Sequence, residues 1–207
     1  MLPENIPQKN NTFGKRQMIN LITYLEAACR NIACRWRGRF LKLYLIMHGC
    51  QVGKGLKCAS FPYFKGFPNK NIFIGDYVDL GRNNTIELAK GSKLILEDYV
   101  LLHQNILISC NASITLRKWA GLAENVSVRD GNHSFAKNEY FRKQEGVAEP
   151  IEIGEGAGVG AGSMVLMGAK IAKGVFIGAH SLVTKKTATE EYGIYAGNPL
   201  KLVGRRG

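Results

Sequence analysis

Six aliphatic residues stand six apart in the last third of the chain, at Ile153, Val159, Val165, Ile171, Ile177 and Val183, and no other feature limits the fold as much. Ile, Leu and Val make up 48 of 207 residues. A run of six in any register therefore has a chance probability on the order of one in a thousand. Four residues after each of the first five come Ala157, Ser163, Ala169, Val175 and Ser181, all small or β-branched. One large and one small site per six residues fits a short strand followed by a turn. The same step runs through Ile74, Leu80 and Ile86, then Leu96, Leu102 and Ile108, then Leu116, Leu122 and Val128. Groups of three predict three strands per coil, stacked into a triangular prism whose flat faces are parallel sheets. Each inward aliphatic stabilises by about 1.5–3 kcal/mol on burial, so their column is the core.

The interruptions carry as much information as the rhythm. Extra residues separate Ile86 from Leu96, Ile108 from Leu116 and, most of all, Val128 from Ile153. Insertions in solenoids emerge at corners. The longest, residues 130–150, is too polar and too large for a turn and reads as a functional external loop. Gly49 to Asn71 reads as irregular first turns, with Val52-Gly53 an isolated fragment of the repeat. The segment Phe61 to Pro68 departs from the repeat altogether, because Pro62 and Pro68 cannot donate to a strand ladder. It is expected to protrude as an aromatic loop or to cover the first coil. The expected division is an arm and helical segment at 1–48, repeat coils at 49–185 with the loop 130–150, and a tail at 186–207.

Within the first 48 residues Met18, Ile22, Leu25, Cys29, Ile32, Trp36, Phe40, Leu43 and Met47 recur every three or four positions, the spacing of one helical face. One helix, or two broken near Gly38, is expected. Up to Lys70 the chain carries 12 Lys and Arg against Glu4 and Glu26, a net +10 of the total +12. Arg30, Arg35, Arg37, Arg39 and Lys42 sit among the apolar positions. Two readings stand: a basic amphipathic helix lying on an anionic membrane surface, or an apolar stripe that caps the coils or packs on a neighbouring subunit, with its charges solvated. His48, at the end of this segment, suits a helix C-terminus. Five cysteines, odd in number and without a C-x-x-C pair, point to a reducing compartment. No apolar run reaches the length of a membrane span. A cytoplasmic protein, soluble or peripheral at the inner membrane surface, is expected.

Four motifs then meet a family. The unit IGEGAGVGAGSMV from Ile153, the closing IGAHSLVTK from Ile177, the pair Asn132-His133 and the tail from Ala196 to Lys201 resemble the hexapeptide-repeat acyltransferases. The likeness spans about Ile72 to Arg206 and is greatest to the bacterial sugar O-acetyltransferases that act on saccharides, capsules and O-antigens. It implies a left-handed parallel β-helix, a handedness that the period alone does not fix. It also implies a homotrimer with active sites between prisms, acetyl-CoA as donor, a sugar or glycan precursor as acceptor, and no metal.

Transfer of an acetyl group from a thioester to a hydroxyl needs a base for the proton, a donor to the oxyanion and a groove for coenzyme A. Histidine titrates near pH ~6.5 and suits the base. His133, at the root of the long loop, matches the family's catalytic position. Asp130 either orients it or bonds backbone in its own turn. His103 stands where the maltose and galactoside branch looks to have an acceptor-binding asparagine, and Asn105 and Asn132 are neighbouring acceptor candidates. By motif match Ala161 and Ala179 border the pantetheine arm, while Thr184, Lys185, Lys201 and Arg205 stand near the nucleotide, whose phosphates want cations. His180 lies in a regular turn. Two departures bear on the groove: Gly158 replaces a tryptophan common in relatives, and Leu200 replaces an alanine.

Other readings are weighed against this one. A metal-dependent hydratase needs convergent histidines, and His103, His133 and His180 lack the close pair such relatives show. A serine acetyltransferase carries a far larger helical N-terminal domain. Streptogramin-type antibiotic acetyltransferases share the long loop, and sugar N-acetyltransferases differ only in the acceptor atom. A non-catalytic trimeric scaffold would have no use for the loop histidine and the basic tail. Nucleic acid is disfavoured, since no aromatic-and-basic module accompanies the charge.

Overall fold

The computed structural model describes the backbone of residues 12–207 and the side chains of Met18 and of residue 20 onward. It divides into two compact units, one up to Ala33 and one from Cys34 to Gly207. A single helix, α1, runs Thr12–Met47. From Thr12 to Ala33 the described backbone is helix, with Met18, Leu21, Ile22, Leu25 and Ile32 exposed.

From Gln51 onward the chain visits three sheets in rotation. The first face stacks Gln51–Val52, Ile72–Ile74, Lys93–Leu96, Ser113–Leu116, Ile151–Ile153 and Lys170–Ile171. The second begins Lys57–Cys58, Asp79–Leu80 and Leu101–Leu102 and ends with Gly193–Ala196 and Lys201–Arg205. Tyr63–Lys65 starts the third, which ends at Leu182–Val183. Neighbours on each face are parallel apart from the final strand, which returns antiparallel to Gly193–Ala196. This is the left-handed parallel β-helix that the resemblance implies.

The expected inward residues are the core. Ile153, Val159, Val165, Ile171, Ile177 and Val183 are buried, as are the small residues Ala157, Ser163, Ala169, Val175 and Ser181. Both hydroxyls in this column are satisfied: Ser163 Oγ donates to the Gly178 carbonyl at 3.0 Å and accepts the Ser181 amide at 3.1 Å, and Ser181 Oγ donates to the Ala179 carbonyl at 3.4 Å. In the earlier coils the same corner column holds Asn84, whose Oδ1 accepts the Ile106 amide at 2.9 Å. Such bonds are what permit polar groups inside an apolar column.

The first coil corrects the sequence reading in two places. Val52-Gly53 is no isolated fragment: Gln51–Val52, Lys57–Cys58 and Tyr63–Lys65 make a complete coil. Phe61 to Pro68 does not leave the repeat either, since Tyr63 pairs with Thr85, Phe64 with Ile86 and Lys65 with Glu87. Pro62 and Pro68 are buried outside that strand, where no ladder bond is asked of them. At the other end Tyr195, 5% exposed, continues the column above Ile177.

The second half of α1 closes the open end of this stack, though not with its periodic stripe. Leu41 and Leu45 are fully buried and join the core with Leu56 and Cys58. Lys42 Nζ donates to the Gly53 carbonyl at 2.8 Å and Arg37 to that of Ala59 at 3.1 Å. A Cβ at Gly38 would lie 2.0 Å from the Leu56 carbonyl oxygen, so glycine there allows close approach and does not break the helix. Trp36, Phe40, Leu43 and Met47 point away and are exposed, so they do not form the cap that one reading of the stripe expected. His48 closes the helix, its Nδ1 2.9 Å from the Tyr44 carbonyl.

Candidate active site

The long loop is a hairpin on a stapled base. Gly131–His133 pairs antiparallel with Gly146–Ala148, and the Glu149 amide donates to the Asp130 carbonyl at 2.9 Å. Asp130 is fully buried. Its carboxylate accepts the Asn111 amide at 2.6 Å, the Ala112 amide at 2.9 Å and Asn111 Nδ2 at 3.2 Å. It therefore neither orients His133 nor bonds its own turn; it ties the root of the hairpin to the preceding coil.

His133 stands on the first hairpin strand with its side chain exposed. Its ring meets Phe141 edge-on at 5.7 Å and 76°, and among the described residues its ring nitrogens have no hydrogen-bond partner. Asn132 Oδ1 accepts the His133 amide at 2.9 Å, which fixes the backbone beneath the ring. Glu149, at the hairpin foot, pairs with Lys185 at 2.5 Å. Sequence reasoning missed Glu149, whose signal was only its place at the end of the insertion.

The coils sort the remaining candidates by corner. Asn132, His133, Thr184 and Lys185 follow strands of the third face and share the corner leading to the first. His103, Asn105, Ala161 and Ala179 follow strands of the second face and share the corner leading to the third. In that corner one turn residue per coil stacks in the order Arg82, Gln104, Glu124, Ala161 and Ala179, each linked to the next by a backbone bond from the following residue. Lys201 begins the last strand beside Ala196, and Ala196 lies against Gly178. The structure thus gathers Ala161, Ala179 and Lys201 at one corner and His133 with Lys185 at another, with the third face between them.

His103 lines a depression of about 300 Å³ with Asp79, Arg82, Gln104 and Glu124, and His133 is not part of it. Arg82 and Glu124 escaped the sequence reading, though counting sixes from Ala161 leads to them. Asn105, at φ 59°, donates to Asn125 at 3.1 Å. His180 takes the left-handed conformation at the top of the same column, its ring against Gly162. Arg205 is engaged by Glu190, whereas Lys201 is exposed with no ion-pair partner among the described residues. At the departure Gly158, the space a side chain would fill is taken by the Phe176 ring, 3.0 Å from where a Cβ would stand.

No thiol competes as a nucleophile in the coils. Burial pushes Cys50 up, Cys58 up to about 11 and Cys110 up to about 12, so all three stay protonated near neutrality. Among the described residues no group of three or more His, Cys, Asp or Glu converges as a metal site. No helix among them is long and apolar enough to cross a membrane.

Comparison with known proteins adds the following. No family model matches the chain. A probable acetyltransferase of Mycobacterium tuberculosis is 28% identical over 156 residues, 75% of this chain and 49% of the relative. The chain thus spans about half the length of that curated relative. Among solved structures, AntD, an N-acyltransferase from Bacillus cereus in complex with dTDP and 3-hydroxybutyryl-CoA, superposes with a TM-score of 0.66 at 18% identity, covering 78% of this chain and 86% of its own. A maltose O-acetyltransferase from Clostridium difficile gives 0.52 at 18% identity, covering 87% and 88%. A hexapeptide-repeat acetyltransferase from Vibrio cholerae gives 0.55 at 15% identity, covering 84% and 90%. At these identities the solved structures show the fold. Coils and likenesses together fit the hexapeptide-repeat acyltransferase family.

Proposed function

We propose that the chain transfers an acetyl group from acetyl-CoA to a hydroxyl of a sugar or glycan precursor, with His133 as the general base. One observation carries this reading: an exposed imidazole with no hydrogen-bond partner among the described residues, at the root of a hairpin that Asp130 staples to the coils. A base needs a nitrogen lone pair free for the acceptor and a fixed place to hold it. The imidazole takes the hydroxyl proton as the oxygen attacks the thioester carbonyl. The tetrahedral oxyanion then collapses, the C–S bond breaks, and the thiolate of coenzyme A takes up the proton.

The donor would lie along the corner of Ala161 and Ala179, where small side chains leave the backbone accessible, with Lys201 near its phosphates. Arg205 is a further proposed cation at that end, while Thr184 and Lys185, at the His133 corner, would meet the nucleotide of a donor held by a second copy, Lys185 and Arg205 exchanging their carboxylate partners for phosphate. His103, Asn105 and Asn132 are the proposed acceptor contacts. Because the base and the donor wall stand at different corners of one stack, a second copy that brings one corner to the other would complete the site. A homotrimer in the cytoplasm, acting in polysaccharide synthesis, is the assembly this reading calls for.

A second reading replaces the hydroxyl by an amine, on the strength of the AntD likeness, in which an N-acyltransferase holds dTDP and an acyl-CoA. The test is acetyl-CoA-dependent thiol release with free and nucleotide-linked sugars. His133→Ala is expected to lower the rate by about 10²–10⁴-fold at saturating acceptor. Near-wild-type transfer by that variant would remove His133 as the base. Hydroxylamine separates the two acceptors, since it cleaves an ester product and spares an amide. A stable monomer by light scattering would overturn the shared site.

A further inference from the structure

At about 100° per residue the side chains of Met18, Leu21, Ile22, Leu25, Cys29, Ile32, Trp36, Phe40, Leu43 and Met47 fall within an arc of about 100° on α1. All ten are exposed. Rising about 1.5 Å per residue, the stripe runs for roughly 21 Å from Met18 to Ile32 and roughly 16 Å from Trp36 to Met47. In the half from Cys34 onward, the packed residues Leu41 and Leu45 and the close-approach glycine Gly38 lie on the opposite side. The helix is therefore anchored by one face, and among the described residues its most apolar face has no partner. A strip of this size is rarely left to water.

The charges choose among occupants. The helix carries Lys15, Arg16, Arg30, Arg35, Arg37, Arg39 and Lys42 against the single acid Glu26. Arg35 and Arg39 flank the stripe on one side and Arg30 and Arg37 on the other, and all four are exposed. Arg39 also lies over the Trp36 ring at 4.8 Å, a cation beside an aromatic that suits the boundary between acyl chains and headgroups. Pairing of two such helices through their stripes would set seven cations against seven. An anionic surface meets the same charges with the opposite sign. The stripe is too narrow for the helix to span a bilayer, in keeping with the absence of a spanning helix among the described residues.

We infer that α1 is an in-plane anchor that docks the enzyme on an anionic phospholipid surface, apolar stripe down and arginines at the phosphates. This stands independently of the reaction. The experiment uses the full chain, sedimented with vesicles of phosphatidylglycerol or of phosphatidylcholine, and a Trp119→Phe form in which Trp36 is the only tryptophan. Partitioning is expected to be at least ~10-fold stronger on the anionic vesicles and to fall at high salt, with the Trp36 emission shifting to the blue. The triple variant Trp36→Asp, Phe40→Asp, Leu43→Asp should lose binding at an unchanged melting temperature, because all three side chains lie away from the coils. Absence of binding to phosphatidylglycerol would overturn the inference. So would a triple variant that binds vesicles as wild type while its subunits dissociate, which would make a second copy the occupant.

Discussion

The coils before the hairpin and those after it solve one problem with different residues. Most turns pass through the left-handed region at their corners. In the earlier coils that conformation is taken by Tyr77, Asn83, Tyr99, Asn105, Trp119 and Asn125, at φ between 55° and 61°. After the hairpin it is taken first by Gly156, Gly162, Gly168 and Gly174 and then by His180 and Tyr192. For a side chain other than glycine or asparagine the left-handed region costs about 1–2 kcal/mol. The earlier coils offset part of that by stacking: Tyr77 on Tyr99 at 5.2 Å and Tyr99 on Trp119 at 4.3 Å, nearly parallel. The later coils avoid the cost at their glycines, leaving open space at Gly156 while the His180 and Tyr192 rings lie over Gly162 and Gly174. One set of coils stacks rings along its corner; the other places glycine beneath single side chains.

The seam between them should give the largest effect. Asp130→Ala leaves the Asn111 and Ala112 amides without their acceptor in a buried site, and about 3 kcal/mol of destabilisation is expected in a denaturant titration. A loss below about 1 kcal/mol would mean that the two sets of coils are not held through this carboxylate. Next come the glycine corners. Gly174→Ala adds a Cβ 2.4 Å from the Tyr192 ring at φ 65° and should cost about 2–3 kcal/mol, whereas Gly156→Ala, at φ 64° with open space, should cost only about 1 kcal/mol of backbone strain. Equal costs would show that the ring moves aside freely. Trp119→Gly should have the smallest effect, within about 1 kcal/mol of wild type, as lost stacking offsets relieved strain. A loss of several kcal/mol would mean that the aromatic column holds the earlier coils together.

The architecture was legible wherever the inward residue was aliphatic. It failed at Cys58 and Phe64, which keep the six-residue step from Val52 but are not aliphatic, and again at Tyr195. Burial asks only for apolar bulk that fills the column, so a pattern confined to Ile, Leu and Val stops short of both ends. The stripe on α1 was legible as a face, but its direction was not. Periodicity says which residues lie together, and only the neighbours of Leu41, Leu45 and Gly38 decide which side is covered. In the candidate site, His133 is proposed from the insertion that carries it and from its match to the family's position. The separation of the Ala161 corner from the His133 corner needs the rotation of the coils, which no single motif encodes.

The final hairpin has a consequence for solubility. A stack of parallel coils ends in rows of unpaired amides and carbonyls, a template on which another stack could add and so grow into a fibre. Here Lys201–Arg205 turns back antiparallel on the second face and replaces a continuing rung with a strand of reversed direction, charged at Lys201 and Arg205. At the opposite end Leu41 and Leu45 lie over the first coil. With one terminus plugged and the other reversed on one face, end-to-end growth is discouraged, and association is left to the sides of the stack.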